Sequence, residues 1–175
     1  VMNGYWNDPD ATSKTLINGW VHTGDIGEFD DEDYLKITDR KKDILVNAGG
    51  DNISPTRIEA KLDIEPEIAQ SMLYGDYKNY LVAVIVPDKD FAINWAKENS
   101  KDQIFESIVK DEDFNKIMKE IVNKVNKNLS VIEQVRKFIL IDHEFTIENS
   151  MMTVSMKVRR FAVKNKYGDQ LEKLY

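Results

Sequence analysis

The sequence predicts an α+β fold: a small mixed sheet of about three strands packed with helices and preceded by a β-hairpin segment. Two observations lead there. Strand-like and helix-like periodicities are interleaved along the chain, but they do not follow a strict βαβ repeat. The apolar runs are also short and bounded by Gly, Pro and Asp, as expected of strands in a compact sheet.

The elements follow in order. Residues 5–18 read as a turn and then a helix, with Asp8 as N-cap and Pro9 at the first helical position. Trp20–Thr23 reads as a strand that ends in the tight turn Thr23-Gly24-Asp25. Glu28-Phe29 and Tyr34–Ile37 are suited to pair across the acidic turn Asp30–Asp33. Asp43–Ala48 is a short apolar run, Gly49-Gly50 breaks it, and Ser54-Pro55 opens a helix with Ser54 as cap. Ser71–Tyr74, Tyr80–Val86 and Lys137–Ile141 are the three strand candidates. Asp88–Glu98 reads as a helix. A longer one carries Phe114, Ile117, Met118, Ile121, Val122, Val125 and Leu129 on one face. Thr146–Ser155 is polar and irregular, and a charged helix is expected from Lys157 to Tyr175.

Composition narrows the function classes. Thirty-one acidic residues against twenty-four basic ones leave a net charge of −7, which disfavours nonspecific nucleic-acid binding. The absence of cysteine excludes disulfides, thiolate metal sites and thiol nucleophiles. No apolar run approaches the roughly 20 residues of a membrane helix, and the first residues lack a signal-peptide pattern. The expectation is a cytoplasmic protein. Asp30-Asp31-Glu32-Asp33 lacks the spacing, the central Gly and the terminal Glu of a calcium loop. His22 and His143 are isolated in the sequence, so a structural or exposed role is expected for each and no metal site is expected.

The stretch Gly19–Glu59, GWVHTGDIGEFDDEDYLKITDRKKDILVNAGGDNISPTRIE, is the most informative. Its Thr-Gly-Asp turn, cationic Asp39–Asp43 run and Gly-Gly loop come in an order that no generic folding requirement imposes. It resembles the adenylate-forming ligases, or acyl-CoA synthetases, where their large and small domains join. Gly4–Thr12 is similar to the same family's Gly-Tyr-x-Asn-x-Pro-x-x-Thr run, and Phe145–Arg160 to the ending of its long-chain fatty acid members.

The resemblance implies a division of the chain and a set of roles. Residues 1–41 would be the end of a large AMP-binding domain plus hinge, and 42–175 a small C-terminal lid. A large N-terminal part, carrying the phosphate loop, the magnesium ligands and the acyl tunnel, would precede this chain. ATP (and AMP), Mg2+, a fatty acid and CoA are the implied substrates and cofactors, none of them expected to be tightly bound here. Asp25 would hold the ribose hydroxyls, since a carboxylate accepts two hydrogen bonds from a vicinal diol. Arg40 would lie beside the nucleotide, and Lys42 would be the hinge. Gly49 and Gly50 would let backbone approach the pantetheine arm of CoA, although a plain hairpin turn explains Gly-Gly equally well. Lys157 would be the catalytic cation bridging the acyl carboxylate and the α-phosphate. On local sequence alone, a turn cap at Asp25 and a basic helix start at Lys157 are the simpler readings.

The chain departs from the family pattern at four places. Asp33 and Ser150 stand for Gly, Val154-Ser155 stands for Pro-Thr, and Asp51 lies where some relatives carry a basic residue that contacts CoA phosphate. An acyl-AMP ligase that loads a carrier protein and a non-catalytic interaction module are the alternative readings. An acyl substrate also makes peripheral membrane contact compatible with the sequence.

Overall fold

The computed structural model describes residues 2–175, which divide into two compact units, one ending at Ile44 and the other spanning Leu45–Tyr175. The first unit is assembled from local turns. Asp8 accepts a hydrogen bond from Ala11 N–H and caps α1 (Pro9–Thr15). The helix ends earlier than the sequence suggests. Leu16–Ile17 (β1) instead pairs with Trp20–Val21 (β2) across Asn18-Gly19, whose φ values are +52° and +81°. Two consecutive left-handed residues are what a tight hairpin turn demands, and Asn-Gly supplies them at low cost. The hairpin of β3 (Asp25–Phe29) and β4 (Leu35–Arg40) is longer than expected and carries a bulge at Ile26/Gly27. At its tip Asp33 takes φ +62°, while the Asp30 carboxylate accepts from the Glu32 and Tyr34 N–H groups. The Tyr34 bond is the main reason that the Asp30 carboxyl is held below its ordinary pKa.

The second unit is built around a sheet. A short hairpin, β5 (Leu45–Val46) with β6 (Asn52–Ile53), leads into α2 (Pro55–Leu62), which Ser54 caps. The sheet has the order β7 (Ile68–Tyr74), β8 (Leu81–Pro87), β9 (Val135–Leu140). The β7–β8 pair is antiparallel and the β8–β9 pair parallel, so the sheet is mixed and three-stranded, as expected. The parallel pairing needs a long crossover. Residues 88–134 supply it with α3 (Lys89–Glu98), α4 (Phe105–Ile108) and α5 (Glu112–Asn126).

All seven residues of β8 are buried, because the sheet is covered on both faces. Leu81, Ala83 and Ile85 join Ile58 and Leu62 of α2, Trp95 of α3, and Phe114, Met118 and Val122 of α5. Val82, Val84 and Val86 turn the other way, toward Phe145, Met151 and Val163, Tyr167 and Leu171 of α6 (Arg160–Glu172). A strand buried on both sides reads as a continuous apolar run, and LVAVIV does. Among the described residues, no helix is long and apolar enough to cross a membrane.

Candidate functional site

Asp25 and Arg40, fifteen residues apart in sequence, are direct cross-strand partners in the β3–β4 ladder. The Arg40 Nε lies 3.2 Å from Asp25 Oδ1, and the Arg40 side chain is about two-thirds exposed at 65%. Two features hold the backbone at Asp25. Gly24 takes φ +76°, and the Asp25 N–H donates to Thr23 Oγ1 at 3.1 Å. The Lys41 N–H then closes the ladder on the Gly24 carbonyl at 2.8 Å. The result is a carboxylate and a guanidinium side by side on an open edge, with hydrogen-bonding capacity left for a diol and a phosphate.

Lys42 follows at once, on an exposed turn in which the Asp43 and Ile44 N–H groups both donate to the Arg40 carbonyl. It stands two residues before the limit of the first unit. Gly49 and Gly50 form the tip of the β5–β6 hairpin, with Gly50 at φ +86°. Asn47 organises that tip: its Oδ1 accepts from the Gly49 and Asp51 N–H groups, and its Nδ2 donates to Asp51 Oδ2 at 2.9 Å. The hairpin is tied back to the β7–β8 turn through Tyr77 N–H to Val46 O and Ala48 N–H to Lys78 O.

Lys157 does not start the last helix, as the charge pattern suggests, but sits three residues before it in a closed loop. Thr153 holds the loop. Its N–H donates to the Lys157 carbonyl at 2.8 Å, and its Oγ1 accepts from the Lys157 N–H at 3.1 Å. Met152 bridges to Val158, and the Arg159 N–H donates to Met151 O at 2.7 Å. Ser150 and Met156 take φ values of +60° and +59°. Ser150 thus adopts the conformation that Gly would favour, at some cost in strain. The Lys157 backbone is pinned while its side chain is exposed and forms no hydrogen bond or ion pair among the described residues.

Sequence reasoning missed the support of that loop. Arg160, the first residue of α6, forms two bonds with Glu59 of α2, at 2.6 Å to Oε1 and 2.5 Å to Oε2. Glu59 also accepts the Leu73 N–H at 2.7 Å. The pairing spans 101 residues, and no local pattern announces it. His143 takes a structural role, as expected. It is isolated in sequence but not in space: its Nδ1 lies 2.6 Å from Asp142 Oδ1, and its Nε2 meets the Tyr167 hydroxyl and, at 2.7 Å, Lys166 Nζ. The Tyr167 hydroxyl, which burial pushes up to about 12, can donate to the ring. This cluster fastens the segment after β9 to α6. Among the described residues, no group of three His, Asp or Glu side chains is arranged to hold a metal.

The fold, a mixed α+β unit that follows a two-stranded hairpin in the chain, is that of the adenylate-forming enzymes. The chain belongs to the AMP-binding enzyme C-terminal domain family, which it matches over residues 42–175. It is 34% identical to the long-chain-fatty-acid–CoA ligase FadD15 of Mycobacterium tuberculosis, over all of this chain and 30% of that protein. It is also 34% identical to human long-chain-fatty-acid–CoA ligase 1, over all of this chain and 26% of that protein. The chain therefore spans less than a third of the length of these curated relatives. Among solved structures it is similar to the adenylation domain of a carboxylate reductase from Mycobacterium chelonae, with a TM-score of 0.85 and 28% identity over 99% of this chain and 26% of that one. The adenylation–carrier didomain of the Segniliparus rugosus reductase, in complex with AMP, has a TM-score of 0.78 and 27% identity over 100% of this chain and 23% of that one.

Proposed function

We propose that this chain is the C-terminal portion of an ATP-dependent fatty-acid–CoA ligase of the long-chain type. Residues 1–41 would be the end of its AMP-binding domain, and 42–175 its mobile lid. The observation that carries the reading is the 34% identity to long-chain ligases over the whole chain.

In the first half-reaction a fatty acid carboxylate oxygen attacks the α-phosphorus of ATP. The bond to the β-phosphate breaks, leaving acyl-AMP and pyrophosphate. Asp25 accepts from the ribose hydroxyls, and Arg40 steadies that carboxylate and faces the nucleotide. Lys157, on its pinned loop, places an ammonium against the charge that develops as pyrophosphate leaves. Magnesium, held by the AMP-binding domain, would neutralise phosphate charge in the same step. In the second half-reaction the CoA thiol attacks the acyl carbonyl, the carbon–oxygen bond to AMP breaks, and AMP departs. A turn about Lys42 withdraws Lys157 and brings the Gly49-Gly50 hairpin to the pantetheine arm.

In the full-length ligase, Lys157→Ala should slow carboxylate-dependent ATP–pyrophosphate exchange by on the order of 10²–10³. Thioester formation from supplied acyl-AMP should stay near the wild-type rate. Exchange at the normal pace overturns the assignment of Lys157. Lys42→Pro should leave one half-reaction intact and abolish the other; survival of both removes Lys42 as the pivot. Residues 1–175 alone should release no pyrophosphate.

A second reading, transfer to a carrier-protein phosphopantetheine, draws support from Asp51. Its carboxylate is engaged with Asn47 in the hairpin where a cation would favour CoA phosphate. Offering acyl-AMP with either CoA or a phosphopantetheinylated carrier separates the two.

A further inference from the structure

We propose that Glu59 is a positioning residue for Lys157 and acts through Arg160. The inference rests on the reading of Lys157 given above and adds how the protein aims that side chain. Lys157 precedes Arg160 by three residues, and α6 begins without a side-chain cap on its first N–H groups. The start of that helix is held instead by the Arg160 guanidinium, clamped on both oxygens of Glu59. The pair is shielded from water, with side-chain exposures of 22% for Arg160 and 11% for Glu59. A two-point bond between a planar guanidinium and a carboxylate fixes direction as well as distance. The Leu73 N–H gives Glu59 a third bond, so the carboxylate is fastened to β7, an edge strand of the three-stranded sheet.

The other end of the loop is tied to the same strand. Gln70 of β7 donates to the Phe145 carbonyl at 3.1 Å and accepts from the Phe145 N–H at 2.6 Å. Both ends of the segment that carries Lys157 are thus referred to β7, and the loop between them is closed on Thr153. Glu59 also lies on the helix that follows the Gly49-Gly50 hairpin. One carboxylate therefore relates the elements proposed for opposite half-reactions, so that they move as parts of one rigid unit. What remains free is the Lys157 side chain, whose aim depends on where its backbone is held.

The test is made in the full-length ligase with E59Q and R160K, each alone and combined with Lys157→Ala. E59Q keeps the size of the side chain but removes the charge, and R160K keeps the charge but loses the two-point bond. Each should lower kcat for ATP–pyrophosphate exchange roughly tenfold or more, the scale expected of a misplacement near 1 Å. The KM for ATP should change much less, and thioester formation from supplied acyl-AMP should keep its rate. In the Lys157→Ala background neither should lower exchange further, because there is no ammonium left to aim. An equal fall in both half-reactions, or an additive loss on top of Lys157→Ala, overturns the proposal in favour of a purely structural ion pair. If E59Q does not fold, R160K decides between these outcomes. A large loss with Lys157→Ala but none with E59Q or R160K rejects the anchor alone. No loss with Lys157→Ala rejects the underlying assignment of that lysine.

Discussion

The two units of this chain are held together by different means. In residues 2–44 only Asp39 is buried, while Trp6, Trp20, Phe29 and Tyr34 are each more than 60% exposed. What shapes this part is turn chemistry: the Asp8 cap, the Asn18-Gly19 pair, the Asp30 carboxylate and the left-handed Asp33. Leu45–Tyr175 instead has a sheet buried on both faces. The first unit can lose a side chain with little effect on folding and a large effect on the proposed chemistry. In the second, most large side chains are structural, and the exposed Lys157 is proposed as an exception.

The contrast can be broken most directly at Phe114, which is fully buried and packs on Trp95 at 5.0 Å and on Phe91 at 6.1 Å between ring centroids. Phe114→Ala should cost about 3–5 kcal/mol, the transfer term plus the cavity. Trp6→Ala should change stability by less than about 0.5 kcal/mol, because Trp6 is 92% exposed. Urea unfolding of the two variants, followed by circular dichroism, checks both. Similar losses in the two would mean that both units depend on packed side chains to the same degree.

Asp25→Asn sharpens the comparison from the side of function. The Asp25–Arg40 pair is open to solvent on the arginine side, so its loss should shift the unfolding midpoint very little. A charged hydrogen bond to ribose is another matter. Its removal should weaken AMP binding by the full-length protein about tenfold or more, on the scale of 1.5–3 kcal/mol for such bonds. Calorimetric titration with AMP reads the effect. Unchanged affinity would leave Asp25 as a turn residue, the simpler of its two readings.

How much was legible in the sequence follows the same division. The caps Asp8-Pro9 and Ser54-Pro55, the acidic hairpin turn and the apolar run of β8 are local signals, and each produced the element expected of it. Where two local signals competed, the reading failed. The helical pattern through residue 18 lost to Asn18-Gly19, which needs two positive φ values that no helix provides. The basic run around Lys157 read as a helix start, but Thr153 draws the chain into a loop first. Of the candidate site, Asp25, Arg40 and Lys157 were visible as residue types in a pattern. That Asp25 and Arg40 face each other depends on a register shifted by the bulge at Ile26/Gly27, which was not visible. Nor were Glu59–Arg160 and His143–Tyr167, because contacts separated by 101 and 24 residues depend on how helices pack on the sheet.

The smallest effect lies at Asp63, just after α2. The residue is exposed, yet its carboxylate accepts from Ser71 Oγ at 2.7 Å and sits near Glu59. Desolvation, with the Glu59 charge adding to it and the Ser71 bond opposing, pushes its pKa up to about 6 from 3.8. A carboxyl with a raised pKa holds its proton longer in the folded state than in the unfolded one. Stability from this group is therefore fully present below about pH 4 and is lost as pH rises through about 6. Asp63→Asn keeps an oxygen to accept from Ser71 and removes the charge. It should stabilise the protein at pH 7.5, with the gain shrinking as pH falls toward 4.5. Because the residue is open to water, the gain should stay below about 1 kcal/mol after screening. Urea midpoints of the wild type and Asp63→Asn, compared from pH 4.5 to 7.5, should diverge as pH rises. A constant gap would mean that the Asp63 charge is fully solvated, and that the junction between α2 and β7 is as loosely packed as the turns of the first unit.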